Sequence, residues 1–213
     1  MTLLWPAGTF LGMALPFGGL PSRFDPETGP SVQRSLVVPG VGYSPASPLL
    51  EFGRQALLQH GWSVRQLWWD VPRGVTEPER HRWVLEQIDD AVAEERALAG
   101  AAERWLIMGK SLGSRAVCSE VPASGYILFT PLLTDASVVS GIQDAVGAGV
   151  PVLLVGGTGD RLWSRETAES LGCEVVEFEG ADHGLSYPND AVHTVNIHAE
   201  VALAVDRFLR ALS

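Results

Sequence analysis

The sequence predicts an α/β fold: a doubly wound, mostly parallel sheet of about seven to eight strands with helices on both faces, forming a single domain over residues 1–213. Three observations carry this. Short apolar runs alternate with helix-signalled segments as far as the C-terminus. Most of the runs are continuously apolar, as strands buried on both faces of a parallel sheet require. Glycine-rich turns stand directly after four of them, at the strand ends where such sheets carry their chemistry. The composition agrees, because 46% apolar residues and seven Trp suffice for a sizeable core.

The first twenty residues are almost wholly apolar. They carry no charge, and Pro6, Gly8, Gly12, Pro16, Gly18 and Gly19 interrupt the run. A secretory signal needs a basic start, and a spanning helix needs about 20 uninterrupted apolar residues. Two short strands joined through Pro6–Gly8 are therefore expected, together with a cytoplasmic location. Pro21 to Arg34 reads as a loop. The next apolar runs are Leu36–Val38, Val64–Trp69, Trp105–Met108, Tyr126–Phe129, Val152–Val155 and Val175–Phe178. Between the first two, Ser47-Pro48 supplies an N-cap and a proline at the first helical position, and Gly61 ends that helix. Thr76 with Glu79 three residues on is a capping box opening a helix through Leu85, Ile88 and Val92. A further helix runs through Val138 and Ile142. The last has one stripe at Ile197, Val201, Val205, Phe208 and Leu212.

Fifteen Lys and Arg against 25 Asp and Glu give a net charge of −10. Phosphate backbones and anionic membranes would repel such a surface, so neither nucleic acid nor membrane is an expected partner. Cys118 and Cys173 are too few for a disulfide scaffold or a four-cysteine zinc site, and are expected as reduced packing residues. No metal and no cofactor is expected.

Phosphate-binding loops are the first test for the glycine-rich turns, and both candidates fail. A P-loop ending at Gly109-Lys110-Ser111 would need glycine at 104, which is Arg. A dinucleotide fingerprint from Gly40 would need glycine at 45, which is Pro. Gly109-Lys110-Ser111-Leu112-Gly113 instead matches G-x-S-x-G, with an apolar strand before it and a helical segment after. Glycines on either side of the serine let strand and helix approach a sharp turn without Cβ clashes.

A serine hydroxyl needs a base, and the base needs an orienting carboxylate. Asp160 and His183 follow two later strands in the order Ser, Asp, His that this motif's fold uses. Asp135 is the competing acid, or alternatively an N-cap. Asp182, next to His183 in the chain, is expected to point away from its ring. His60, His81, His193 and His198 fall on helices or helix ends and read as surface or interhelical residues. Lys110 either contacts an acidic substrate group or pairs with a nearby carboxylate. Trp68, Trp69 and Trp163 flank strand ends, so Trp69 and Trp163, with Tyr43, are weak candidates for substrate contact or else core packing.

At these residues the chain resembles the α/β-hydrolase superfamily, particularly its small, capless members related to dienelactone hydrolases and short-chain carboxylesterases. The resemblance spans roughly residues 35 to 212 and rests on Gly109–Gly113, Gly159-Asp160 and Asp182-His183-Gly184. It implies Ser111 as nucleophile, His183 as base and Asp160 as acid. Dienelactone hydrolases carry cysteine where this chain has Ser111. Family members often show His-Gly where this chain has Pro39-Gly40, so the oxyanion donors are expected at the backbone of Val41 or Gly42, paired with Leu112. The expected activity is hydrolysis of a short or compact ester or thioester, with a small molecule as the partner and a homodimer as a possible assembly. A peptidase or acyltransferase on the same residues, or a silent binding module, are the alternatives.

Overall fold

The computed structural model describes residues 32–102 and 104–212. The two N-terminal strands expected before Pro21, and most of the loop to Arg34, lie outside the described residues. Six strands are found: β1 (Gln33–Val38), β2 (Ser63–Gln66), β3 (Arg104–Lys110), β4 (Ala123–Phe129), β5 (Val152–Gly157) and β6 (Glu174–Phe178). They form one sheet in the order β2-β1-β3-β4-β5-β6, with every neighbouring pair parallel. The expectation of seven to eight strands is thus corrected to six among the described residues, the shortfall being the two strands assigned to the N-terminus.

Successive strand residues point to opposite faces, and each face has its own core. On one, Leu36, Ile107, Leu128 and Leu154 meet Val84 and Ile88 of α2 (Glu77–Ala99) and Val138 and Ile142 of α3 (Ala136–Gly147). On the other, Val37, Met108, Phe129 and Val155 meet Leu49 and Leu57 of α1 (Pro48–Gln59) and Val201, Val205 and Phe208 of α5 (Ala191–Ala211). A short α4 (Arg165–Ser170) lies between β5 and β6. The capping box at α2 is formed, Thr76 accepting from the Glu79 amide while the Glu79 carboxylate accepts from the Thr76 amide. Cys118 and Cys173 are both free thiols. Among the described residues no helix is long and apolar enough to cross a membrane.

One element differs from expectation. The Val64–Trp69 run leaves the sheet at Gln66, after Leu67 donates a last hydrogen bond to the Val37 carbonyl at 2.9 Å. The next rung would need the amide of residue 39, which is Pro and has none. Trp68 and Trp69 are freed to line the cleft. The helical segment expected after β3 is a 3-10 helix over Ser111–Cys118. The Ser111 carbonyl at its start accepts from Ser114 Oγ at 2.7 Å.

Candidate active site

Ser111 begins its helix with φ at +53°, a left-handed conformation that costs a non-glycine residue about 1 kcal/mol or more. Its neighbours hold it there. A Cβ on Gly113 would stand 2.1 Å from the Val38 carbonyl oxygen, and one on Gly109 would stand 2.5 Å from that of Gly113. The end of β1, the turn and the helix therefore touch backbone to backbone, which only glycine permits.

The acid turn is packed in the same way. A Cβ on Gly157 would lie 2.3 Å from the Ala181 carbonyl oxygen, and the Gly159 amide donates to that oxygen at 3.0 Å. Asp160 is thereby buried against the loop after β6. That loop is braced by Asp182, whose Oδ1 accepts from the amides of Gly184 and Ser186 and from Ser186 Oγ, at 2.8, 3.0 and 2.9 Å. Burial pushes the Asp182 carboxyl up, but these hydrogen bonds outweigh it and hold the group below the ordinary carboxylate range. Leu185, buried with φ at +50°, pins the loop, and His198 Nε2–H on α5 donates to its carbonyl at 3.0 Å.

These three turns bring Ser111, His183 and Asp160 into one hydrogen-bonded chain. His183 Nε2 lies 2.7 Å from Ser111 Oγ, and Nδ1 lies 2.6 Å from Asp160 Oδ2. A carboxylate only accepts, so the proton belongs on Nδ1, and the Nε2 lone pair faces the serine hydroxyl. Asp160 Oδ1 accepts from the Leu162 amide at 2.9 Å. Asp135 is not in this chain. It caps α3 by accepting from the Ser137 amide and pairs with Arg115 at 2.9 Å. Burial raises its carboxyl, and the Ser137 and Arg115 contacts more than reverse that.

Sequence reasoning missed the brace between the serine and acid turns. Ser114, fully buried, donates to the Ser111 carbonyl and accepts from the Leu132 amide at 3.1 Å. The Leu133 amide donates to the Leu162 carbonyl at 3.1 Å, and the Leu162 amide reaches Asp160. No pattern in the sequence signals a partner 18 residues away.

Lys110 is 3% exposed and, among the described residues, has no carboxylate within ion-pair distance, so the expected pairing is corrected. Its Nζ sits 4.8 Å from the centre of the Tyr43 ring. Burial pushes its pKa down to about 8, with Asp160 and Asp182 pulling the other way. Tyr43 Oη accepts from the Leu49 amide at the start of α1 at 3.1 Å, and burial pushes its hydroxyl up to about 12. Trp163 belongs to the core. Its ring covers Gly156, and its indole N–H donates to Glu177 at 2.7 Å, so substrate contact there is corrected to packing. His60 bridges α1 to Asp206 of α5 at 2.8 Å, and His193 stacks on Tyr187.

The other side of Ser111 is a cleft. A Cβ on Gly40 would lie 3.0 Å from Ser111 Cβ, and Gly40 also lines a cavity of about 1220 Å³. Its walls are the segment from Pro39 to Ser47 and the segment from Trp68 to Gly74. Val41 is 63% exposed there, and Gly42 beside it has φ at +65°. Neither amide has a hydrogen-bond partner in the described protein, whereas Leu112 is buried in the first turn of the 3-10 helix. Among the described residues no three His, Cys, Asp or Glu side chains are grouped as metal ligands.

No family model matches the sequence, and no curated protein matches it. Solved structures do resemble it. An α/β serine hydrolase homologue from Coxiella burnetii is 15% identical over 84% of this chain and 88% of that one, with TM-score 0.62. An esterase from Pyrococcus furiosus is 15% identical over 85% and 81%, with TM-score 0.60. An α/β serine hydrolase without a lid from Xanthomonas campestris is 13% identical over 86% and 85%, with TM-score 0.58. At such identities the likeness is one of fold, and the fold is that of the α/β hydrolases.

Proposed function

We propose that this chain is a serine hydrolase that cleaves a carboxylic ester or thioester through an acyl-serine intermediate. The observation that carries the reading is the unbroken chain Ser111 Oγ–His183–Asp160, at 2.7 and 2.6 Å, on a left-handed turn after a parallel strand. Ser111 Oγ attacks the carbonyl carbon as its proton passes to His183 Nε2. Asp160 holds the ring tautomer and offsets the imidazolium charge. The oxyanion takes the Leu112 amide with that of Val41 or Gly42. The proton then leaves with the alcohol or thiol, and water, activated by the same nitrogen, releases the acid. The esterases and serine hydrolases of like fold support the reaction class.

Ser111→Ala should remove at least about 10⁴-fold of esterase activity and all labelling by a fluorophosphonate probe, while the thermal midpoint stays close to wild type. A folded Ser111→Ala protein that still turns over p-nitrophenyl esters would refute the assignment.

Only residues 130–151 separate β4 from β5, and α3 occupies most of them, so no lid covers the cleft from there. An alkyl chain left in water forgoes about 0.8 kcal/mol per methylene. We therefore expect kcat/KM to peak at acyl groups of roughly two to six carbons, without interfacial activation. A rise from butyrate through palmitate esters would show an acyl tunnel instead.

A further inference from the structure

The turn that carries Val41 and Gly42 has little support of its own. Val41 is 63% exposed, and a Cβ on Gly42 would meet nothing within 4 Å. An antiparallel bridge between Gly40 and Tyr43 closes the turn, so its placement depends on what those two residues rest on. Both rest on Lys110. A Cβ on Gly40 would lie 3.2 Å from Lys110 Cδ and 3.1 Å from the Lys110 carbonyl oxygen. Lys110 Nζ stands 4.8 Å from the centre of the Tyr43 ring. The lysine is a fixed base, because it ends β3 in register with Phe129 of β4. Beyond the ring, the Leu49 amide donates to Tyr43 Oη at 3.1 Å and carries the contact into α1. Nothing else in the site uses this ammonium. It is buried, it has no carboxylate within ion-pair distance among the described residues, and it stands outside the Ser111–His183–Asp160 chain. A buried charge without a counter-charge is costly, and methionine would fill the same space without that cost.

We propose that Lys110 is a positioning residue: its stem against Gly40 and its ammonium over the Tyr43 ring hold the 40–43 turn so that the Val41 or Gly42 amide faces the oxyanion formed at Ser111. This rests on the serine-hydrolase reading for its catalytic consequence, but the brace it describes is separable from hydrolysis. Gly40 connects the two, since a Cβ there would also lie 3.0 Å from Ser111 Cβ. An ammonium over an aromatic face is attracted by the ring's negative centre, and burial strengthens that attraction.

Lys110→Met keeps the length of the stem and removes the ammonium. It should lower kcat for p-nitrophenyl acetate about tenfold and leave KM within about threefold, because an oxyanion donor acts in the transition state rather than in substrate binding. The same variant should melt at a higher temperature than wild type at pH 7. The two effects have opposite signs, which a general loss of structure cannot produce. Tyr43→Leu removes the ring at the other end of the contact. If Lys110 acts through Tyr43, the double variant Lys110→Met/Tyr43→Leu should be no slower than the slower single variant. A kcat within about twofold of wild type in Lys110→Met, or losses that multiply in the double variant, would overturn the proposal. Amide exchange followed by NMR needs no turnover. The Leu49 amide, which is bonded to Tyr43 Oη, should exchange at least about tenfold faster in Lys110→Met. Unchanged protection there would refute the brace whatever the kinetics. Faster exchange, in a protein whose Ser111→Ala form still turns over esters, would refute the hydrolase reading and uphold the brace.

Discussion

On the side of Ser111 facing β4, β5 and β6, three loops are tied to one another by backbone contacts, buried glycines and the Ser114 brace. On the side facing β1 and β2, the segments 39–47 and 68–74 border a wide cleft, with an exposed Val41 whose amide, like that of Gly42, has no hydrogen-bond partner among the described residues. The first region leaves almost no polar atom of its reacting groups without a bond. The second leaves two backbone amides open. In the proposed reaction the difference would separate the labour, the closed side fixing the reacting atoms and the open side admitting the substrate.

The largest test of that division sets two aspartates against each other. Asp160→Asn should lower kcat by about 10³-fold or more, because an amide can present its NH₂ to Nδ1 and hold the wrong tautomer. Asp135→Asn should leave kcat within about twofold and lower stability by about 1–3 kcal/mol, through a weakened Arg115 pair and helix cap. Steady-state kinetics with urea unfolding reads both, and a larger kinetic loss at Asp135 would reassign the acid. Next is Ser114→Ala, which removes the hydroxyl between the Ser111 carbonyl and the Leu132 amide. We expect kcat to fall about tenfold with KM nearly unchanged, and slower fluorophosphonate labelling, since the closed side governs reactivity. A change confined to KM would instead place Ser114 with the open side.

The smallest effect concerns Lys110, where the two sides meet. Its folded pKa of about 8 lies below the ordinary lysine value of 10.5, so the folded protein carries a disfavoured buried charge below pH 8. Between 8 and 10.5 the unfolded chain binds the extra proton, and the lysine's contribution to stability becomes more favourable as pH rises. Lys110→Met should therefore stabilise by roughly 1–3 kcal/mol at pH 7, with the gain shrinking toward pH 10. Paired thermal melts at the two pH values measure it. A gain that grew with pH would mean that the ammonium is stabilised where it lies.

Much of the closed side was legible in the sequence. Continuous apolar runs specified a parallel sheet, and G-x-S-x-G with Asp160 and His183 at later strand ends marked three turns that the fold brings together. Glycine spacing speaks for steric need, and steric need is local. The open side was less legible. The early exit of β2 depends on Pro39, which lies in another strand's turn, and only that exit frees Trp69 for the cleft. The alternatives at Lys110 and Trp163 stayed open in the sequence for a related reason. An ammonium over an aromatic ring, or an indole over a glycine, is chosen by tertiary neighbours that sequence separation hides. Ser114 had no signal at all, because a small buried hydroxyl has no spacing rule.

The left-handed turn at Ser111 has a consequence for the order of events in folding. It is held by Val38 from one strand end and, through Ser114, by Leu132 from another, while its histidine arrives from residue 183. These contacts join segments far apart in the chain, and such contacts form late. A partly folded molecule can therefore have most of its sheet and not the Ser111–His183–Asp160 arrangement. In refolding from urea, recovery of hydrolysis should lag behind recovery of far-ultraviolet circular dichroism. On heating, hydrolysis should be lost before the sheet melts, which makes enzymatic rate the most sensitive gauge of the chain's native fraction.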